Sequence, residues 1–251
     1  MAPKLKLRNP PARTPSGRVL VTGFEPFDGH VLNVSWEVAR ALDGRLIGSA
    51  DLSGSLQVIA AQVPCCFGRC IDEVNRLIDA LSPDLVISLG QAEGRPDITI
   101  ERVALNVRDA RIADNNGRQP IDEPVDASGP YAYPSRLPLR AMLNSLQADG
   151  HPVSLSNSAG TFVCNDLFYG LMHRLRHGPV TGGFIHLPIL PEQRRSERER
   201  SADRDDAPRS FSAQTPARSL EVQVAALEAA IACVLAQPPL VQPPLSTEGS
   251  T

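Results

Sequence analysis

Short apolar runs alternate along the chain with segments of helical spacing, and glycine or proline marks most of the joints. Arg18 to Gly23, RVLVTG, reads as a buried strand ending in a glycine turn. Ser35 to Leu42 has helical spacing and stops near Gly44. Leu56 to Val63 reads as a strand closed by Pro64. Ile71 to Leu81 predicts a helix with Val74, Leu77, Ile78 and Leu81 on one face. Asp84 to Leu89 is a second strongly apolar strand, ending at Gly90, and Ile98 to Val107 reads as extended and part buried. Helices are expected over Ser135 to Leu146 and Asn165 to Arg176, with short strands at Pro152 to Ser156 and Gly183 to Leu187. Ala217 to Ala236 predicts a long amphipathic helix whose inner stripe is Leu220, Val224, Leu227, Ala230, Ile231 and Val234. Continuously apolar strands between helices are strands covered on both faces. The expected fold is therefore an α/β sandwich, in one domain over residues 18–237.

Composition narrows the class. A chain of 251 residues is long enough for one α/β domain with a full core. No stretch reaches the ~18 to 20 apolar residues of a membrane helix, so no membrane partner is expected. A formal net charge of −3 makes nucleic acid a poor partner as well. Residues 1–17 carry positive charge without the apolar core of a secretory signal and read as a disordered tail. The proline-rich residues 238–251 read likewise. Between Arg194 and Arg209 stand six arginines and five acidic residues with hardly an apolar side chain. Such a segment cannot offset its ordering entropy by burial, so 193–214 is expected to be a solvated loop. The five cysteines are too few, and odd in number, for a disulfide framework. A reducing cytoplasm follows, where a thiol can serve as a nucleophile.

Three stretches carry candidate chemistry. In SAGTFVCN, a small-residue turn leads into a helix that starts near Cys164. A cysteine there meets unpaired backbone N–H groups and the positive end of the macrodipole. Both favour thiolate and lower the pKa, and the same N–H groups can hold an oxyanion. Taken alone, such a cysteine more often reads as a buried structural residue. In GGFIHLP, His186 stands at the end of an apolar strand, where α/β sites collect; a core histidine is the alternative. In ITIERVALN, Glu101 sits among apolar and β-branched residues and so needs a partner. That partner is either the adjacent Arg102 or a histidine, whose tautomer it would fix. His173 and His177 are four apart, but no third ligand stands near them, and Cys65, Cys66 and Cys70 read as structural. No metal site is expected. Gly23, Gly29 and Gly94 read as turn glycines.

At these residues the chain resembles the pyroglutamyl peptidase type I family, the pyrrolidone carboxyl peptidases. The resemblance rests on four blocks in order: VTGFEPFDG with NVSW, GQAEGR running into ITIERVALNVRDARIADNNG, SAGTFVCNDLFYGLMH, and GGFIHLPILPEQ. It implies Cys164 as nucleophile, His186 as general base and Glu101 as the acid that orients the histidine. Arg111 matches an arginine near the oxyanion site, where the Cys164 N–H also points. Phe24, Phe27, Gln91, Phe162 and Val163 match positions around a pyroglutamyl ring pocket. The implied fold is a three-layer αβα sandwich with a twisted, mixed, mostly parallel sheet. The implied assembly is a homo-oligomer, commonly a tetramer, and no cofactor is required. Val34, Ile100 and Ala113 stand where the family usually has proline, which alters backbone stiffness and leaves the reacting groups intact. The expected activity is release of N-terminal pyroglutamate from peptides by a cysteine exopeptidase. The competing readings are a thiol amidase acting on another small acyl group and a non-catalytic binding protein of the same fold.

Overall fold

A computed structural model describes residues 15–48, 55–194 and 216–237. The expected terminal tails, apart from Pro15 to Gly17, and nearly all of the charged 193–214 segment lie outside these residues. The main sheet has seven strands in the order β2-β3-β1-β4-β9-β5-β8. These are β1 Gly17–Phe24, β2 Leu46–Ile47, β3 Leu56–Val63, β4 Leu85–Gln91, β5 Ile98–Glu101, β8 Val153–Ser156 and β9 Thr181–Leu187. Pairing is parallel except at β2–β3 and β5–β9, so the sheet is mixed and mostly parallel. A second small sheet pairs β6 Val103–Leu105 with β7 Ala132–Pro134.

Side chains of successive strand residues point to opposite faces, and this parity divides the core into two layers. Val19, Val21, Leu85, Ile87, Leu89, Ile98, Ile100, Ile185 and Leu187 face one layer. It is covered by α1 Val34–Leu42, α3 Leu139–Ala148 and α5 Leu220–Leu235. Leu20, Val86 and Phe184 face the other, covered by α2 Arg69–Leu81 and α4 Val163–Leu175. β4 and β9 are buried on both faces and are accordingly mostly apolar, with Ser88, Gln91 and His186 as buried polar exceptions.

Three expectations change. The extended 98–107 run is two strands: the chain turns at Arg102, whose N–H still bonds Ser156 while its carbonyl accepts from Ser135. One strand thus serves the main sheet and the next the small one. The 135–146 helix begins only at Leu139, because Pro138 lacks an N–H and fits a helix start. Gly23 lies inside β1 and is no turn residue. A Cβ there would come within 2.4–2.5 Å of the Ser35 carbonyl group and the Trp36 nitrogen, so the glycine lets α1 dock against the strand. Gly29 and Gly94 do adopt positive φ.

Candidate active site

Strand parity gathers the candidate residues on one face. In register, Gly90 of β4 is opposite His186 of β9, and His186 is opposite Thr99 of β5. Counting from the apolar positions that face α1, α3 and α5, residues Gly90, Thr99, Glu101 and His186 point the other way, toward α4. Cys164 is the second residue of α4. A Cβ on Gly90 would lie 2.9 Å from Cys164 Sγ and 2.8 Å from the Phe184 ring. The missing side chain is therefore the room in which the sulfur sits, above the strand pair that carries His186.

His186 Nδ1 lies 2.8 Å from Glu101 Oε1 in a buried hydrogen bond. An ionised carboxylate only accepts, so the proton is on Nδ1 and Nε2 is left as the basic nitrogen. The His186 ring also packs on Phe184, centroids 4.9 Å apart. Glu101 is fully buried. The expected alternative of an ion pair with Arg102 is not realised: the cation on Glu101 is Arg95, with Nη1 2.6 Å from the same Oε1. Burial would raise the Glu101 pKa, but the His186 hydrogen bond and charge, then Ser156 and Arg95, outweigh it and hold the carboxyl below its usual range. Burial lowers the His186 pKa further than the Glu101 hydrogen bond and charge raise it, and Arg95 also lowers it.

The cysteine departs from expectation. It does stand at a helix start, where the first-turn N–H groups have no carbonyl within the helix. Although the residue is half-buried, its sulfur is packed over Gly90. Loss of hydration, reinforced by the Glu101 charge, pushes the thiol up to about 12 against the opposing pull of Arg95 and the Cys164 N–H. Burial thus outweighs the helix terminus, which does not by itself produce a thiolate.

The residues after Cys164 hold its position. Asn165 is fully buried; its Oδ1 accepts from the Leu105 N–H at 2.9 Å, and its amide donates to Leu105 and Val107 carbonyls at 2.9 and 3.0 Å. Asp166, also fully buried, takes Arg108 Nε at 2.6 Å and the Gly68 N–H at 2.7 Å. Before the helix, Thr161 is tied to Asp109 by its hydroxyl at 2.7 Å and its carbonyl at 3.0 Å. Asp166→Ala would leave Arg108 charged and nearly buried without its partner. A loss of about 3–5 kcal/mol in urea unfolding is expected.

A cleft of about 220 Å³ is lined by Phe27, Asp28, Gln91, Glu93, Asp109, Arg111, Ile112, Thr161 and Phe162, and so borders the chain next to Gly90 and just before Cys164. The Phe27 and Phe162 rings are neighbours in this cleft, centroids 6.1 Å apart and tilted by 39°. Gln91 is buried, its Oε1 accepting from Gln193 Nε2 at 2.6 Å. Of the expected pocket residues, Phe27, Gln91 and Phe162 are on the wall, as is the exposed Arg111 that was expected near the oxyanion site. Phe24 and Val163 are instead 2% and 1% exposed in the apolar layer beneath, because the alternation of β1 and the first turn of α4 aim them inward. Arg95, Asn165, Asp166 and Gln193 were not singled out by sequence reasoning. An acid two residues after a cysteine in an apolar helix was the one signal available, and an acid in a first turn also reads as a dipole complement. Cys65, Cys66 and Cys70 are buried, and His173 bonds Tyr133 at 3.0 Å. Among the described residues, no group of three or more histidines, cysteines or carboxylates converges as metal ligands.

A mixed α/β sheet that pairs a histidine with a buried carboxylate on the face against which a cysteine packs has the groups of a thiol-dependent hydrolase. A profile of the pyroglutamyl peptidase family matches residues 17–237, and the chain belongs to that family. It is 56% identical over 178 residues to a pyrrolidone-carboxylate peptidase of Cupriavidus taiwanensis, covering 70% of this chain and 80% of that one. With the corresponding protein of Yersinia pestis it shares 47% over 209 residues, covering 82% and 91%. Among solved structures, pyroglutamyl peptidase I from Bacillus amyloliquefaciens superposes with a TM-score of 0.76 at 38% identity, covering 88% of this chain and 96% of that one. Pyrrolidone carboxyl peptidase from Pyrococcus furiosus gives 0.75 at 36%, covering 87% and 98%.

Proposed function

We infer that the protein is a cysteine exopeptidase that releases N-terminal pyroglutamate from peptides, with Cys164, His186 and Glu101 as its reacting set. The observation that carries the assignment of roles is the Glu101–His186 hydrogen bond on the sheet face against which Cys164 packs. As the thiol attacks the pyroglutamyl carbonyl, its proton passes to His186 Nε2 and the S–C bond forms. A thiol pushed up to about 12 and a neutral imidazole favour this coupled transfer over attack by a preformed thiolate. The Cys164 N–H and Arg111 stabilise the oxyanion; one such donor is typically worth ~3 kcal/mol. The imidazolium then protonates the leaving amine as the C–N bond breaks, giving a thioester. Water that gives a proton to His186 hydrolyses it and frees pyroglutamate.

Recognition follows from the cleft. The lactam ring is small, flat and uncharged, and Phe27 and Phe162 offer it apolar surfaces. Gln91 offers the polar pairing for its N–H and C=O, and Phe24 and Val163 support the wall from below. An N-terminal glutamine brings a charged amine that such a pocket desolvates without pairing, so it binds badly. No cofactor enters any step. No described helix is long and apolar enough to cross a membrane. A cytoplasmic setting is part of the proposal, supported by five free cysteines, as is a homo-oligomer, a tetramer by the family resemblance.

The test is release of free pyroglutamate from pyroglutamyl-naphthylamide, with glutaminyl-naphthylamide left intact. Equal turnover of the two would overturn the substrate assignment. The same assay reads His186. Its lowered pKa means the base stays neutral until the pH drops below 6.5, so the acid limb of kcat/KM is expected below that value.

A further inference from the structure

We propose that Arg95 is a positioning residue for the hydrolysis: it clamps Glu101 against the His186 ring and ties that pair to the turn leading into Cys164. The inference rests on the reading of Glu101 and His186 given above. Arg95 lies in the connection between β4 and β5, six residues before Glu101. One guanidinium nitrogen, Nη1, reaches both Thr99 Oγ1 at 2.7 Å and Glu101 Oε1 at 2.6 Å. The other, Nη2, donates to the Ser158 carbonyl at 3.2 Å. Ser158 belongs to the turn between β8 and α4, and its hydroxyl accepts from the Gly160 N–H at 3.1 Å. A single planar group therefore joins the strand that carries the acid to the turn that delivers the nucleophile. Arginine fits this role because its donors diverge at fixed angles; a lysine ammonium presents a single point charge.

Sharing has an electrostatic consequence. Oε1 accepts from the imidazole and the guanidinium together, so the carboxylate cannot give its full charge to His186. The positive charge of Arg95 also opposes protonation of the ring and favours ionisation of the Cys164 thiol. The charged groups bearing on His186 are Glu101 on β5 and Arg95 on the preceding loop, while Cys164 of α4 packs on the same sheet face. Removing Arg95 leaves Glu101 wholly to the imidazole, which becomes easier to protonate. Removing Glu101 does the reverse. The two changes move the acid limb in opposite directions, a pattern that loss of packing alone does not produce.

The experiment compares Arg95→Gln, Arg95→Lys and the unaltered chain by kcat/KM against pH on pyroglutamyl-naphthylamide. His186 is followed in parallel by its imidazole NMR signals in the Cys164→Ser background. For Arg95→Gln, the acid limb and the His186 titration are expected to rise by about one pH unit, a tenfold rate loss on the acid side. Arg95→Lys keeps the charge and should leave the limb near its original place, with the rate lowered by the lost Ser158 tether. A rate loss in Arg95→Gln that is the same at every pH, with the His186 titration unmoved, would overturn the proposal. The NMR arm reads the coupling even if the substrate assignment fails, so the two failures are distinguishable.

Discussion

Cys164→Ala is expected to cut pyroglutamyl-naphthylamide hydrolysis by about 10⁴- to 10⁶-fold, the range seen when a covalent nucleophile is removed and only binding and oxyanion donors remain. The reason is local. The sulfur packs over Gly90 beside the Phe184 ring, on the sheet face to which His186 points. Cys65 and Cys70 are buried in the apolar layer, where burial and neighbouring negative charges raise both thiols. Neither can take over. Asn165 and Asp166 make their contacts through their own side chains, so the variant should unfold at nearly the same urea concentration as the parent. EDTA should leave the parent's rate unchanged, since every step is assigned to side chains. Substantial turnover by Cys164→Ala would remove the thioester from the mechanism.

Glu101→Gln is expected to lower kcat by roughly 10³- to 10⁴-fold, about 4–5.5 kcal/mol in the barrier. The carboxamide has nearly the same size, so the loss measures charge and tautomer. In the proposed mechanism Glu101, hydrogen-bonded to Nδ1, fixes the tautomer and supports the imidazolium that forms as sulfur attacks. With an amide there, the ring can settle with Nε2 protonated and face the thiol as a donor. The remaining activity should show an acid limb lower than the parent's, because the charge that favoured protonation is gone. Arg95 is left beside a neutral group, and partial unfolding at low denaturant would betray that cost. Stopped assays at several pH values check both parts; a kcat within tenfold of the parent's would show that the acid does not orient the histidine.

How far the chain could be read without coordinates depends on the range of the physics. Apolar alternation is local, so β1, β3, β4, β9 and the five long helices were legible to within a few residues. β2, two residues long, was missed, as was β7, three, because such short strands have too little pattern to register. The reactive residue types were legible too. Cys164 followed a small-residue turn, His186 ended an apolar strand, and Glu101 was an acid amid β-branched neighbours. The protonation of Cys164 was not. A helix start argues for a thiolate, yet desolvation by the packed sheet outweighs it, and desolvation depends on neighbours distant in sequence.

The order of residues by itself determined which strands are covered on both faces, which side chains can do thiol chemistry, and which family the chain joins. Only the tertiary structure decided that Glu101 belongs to His186 and Arg95 rather than to Arg102. It also decided that Phe24 lies under the cleft while Phe162 lines it, and that Gly90 is empty so that sulfur can fill its place. Secondary structure and residue chemistry arise from neighbours along the chain. Partnership and solvation arise from strand order and register, which bring together residues such as Glu101 and His186, 85 positions apart.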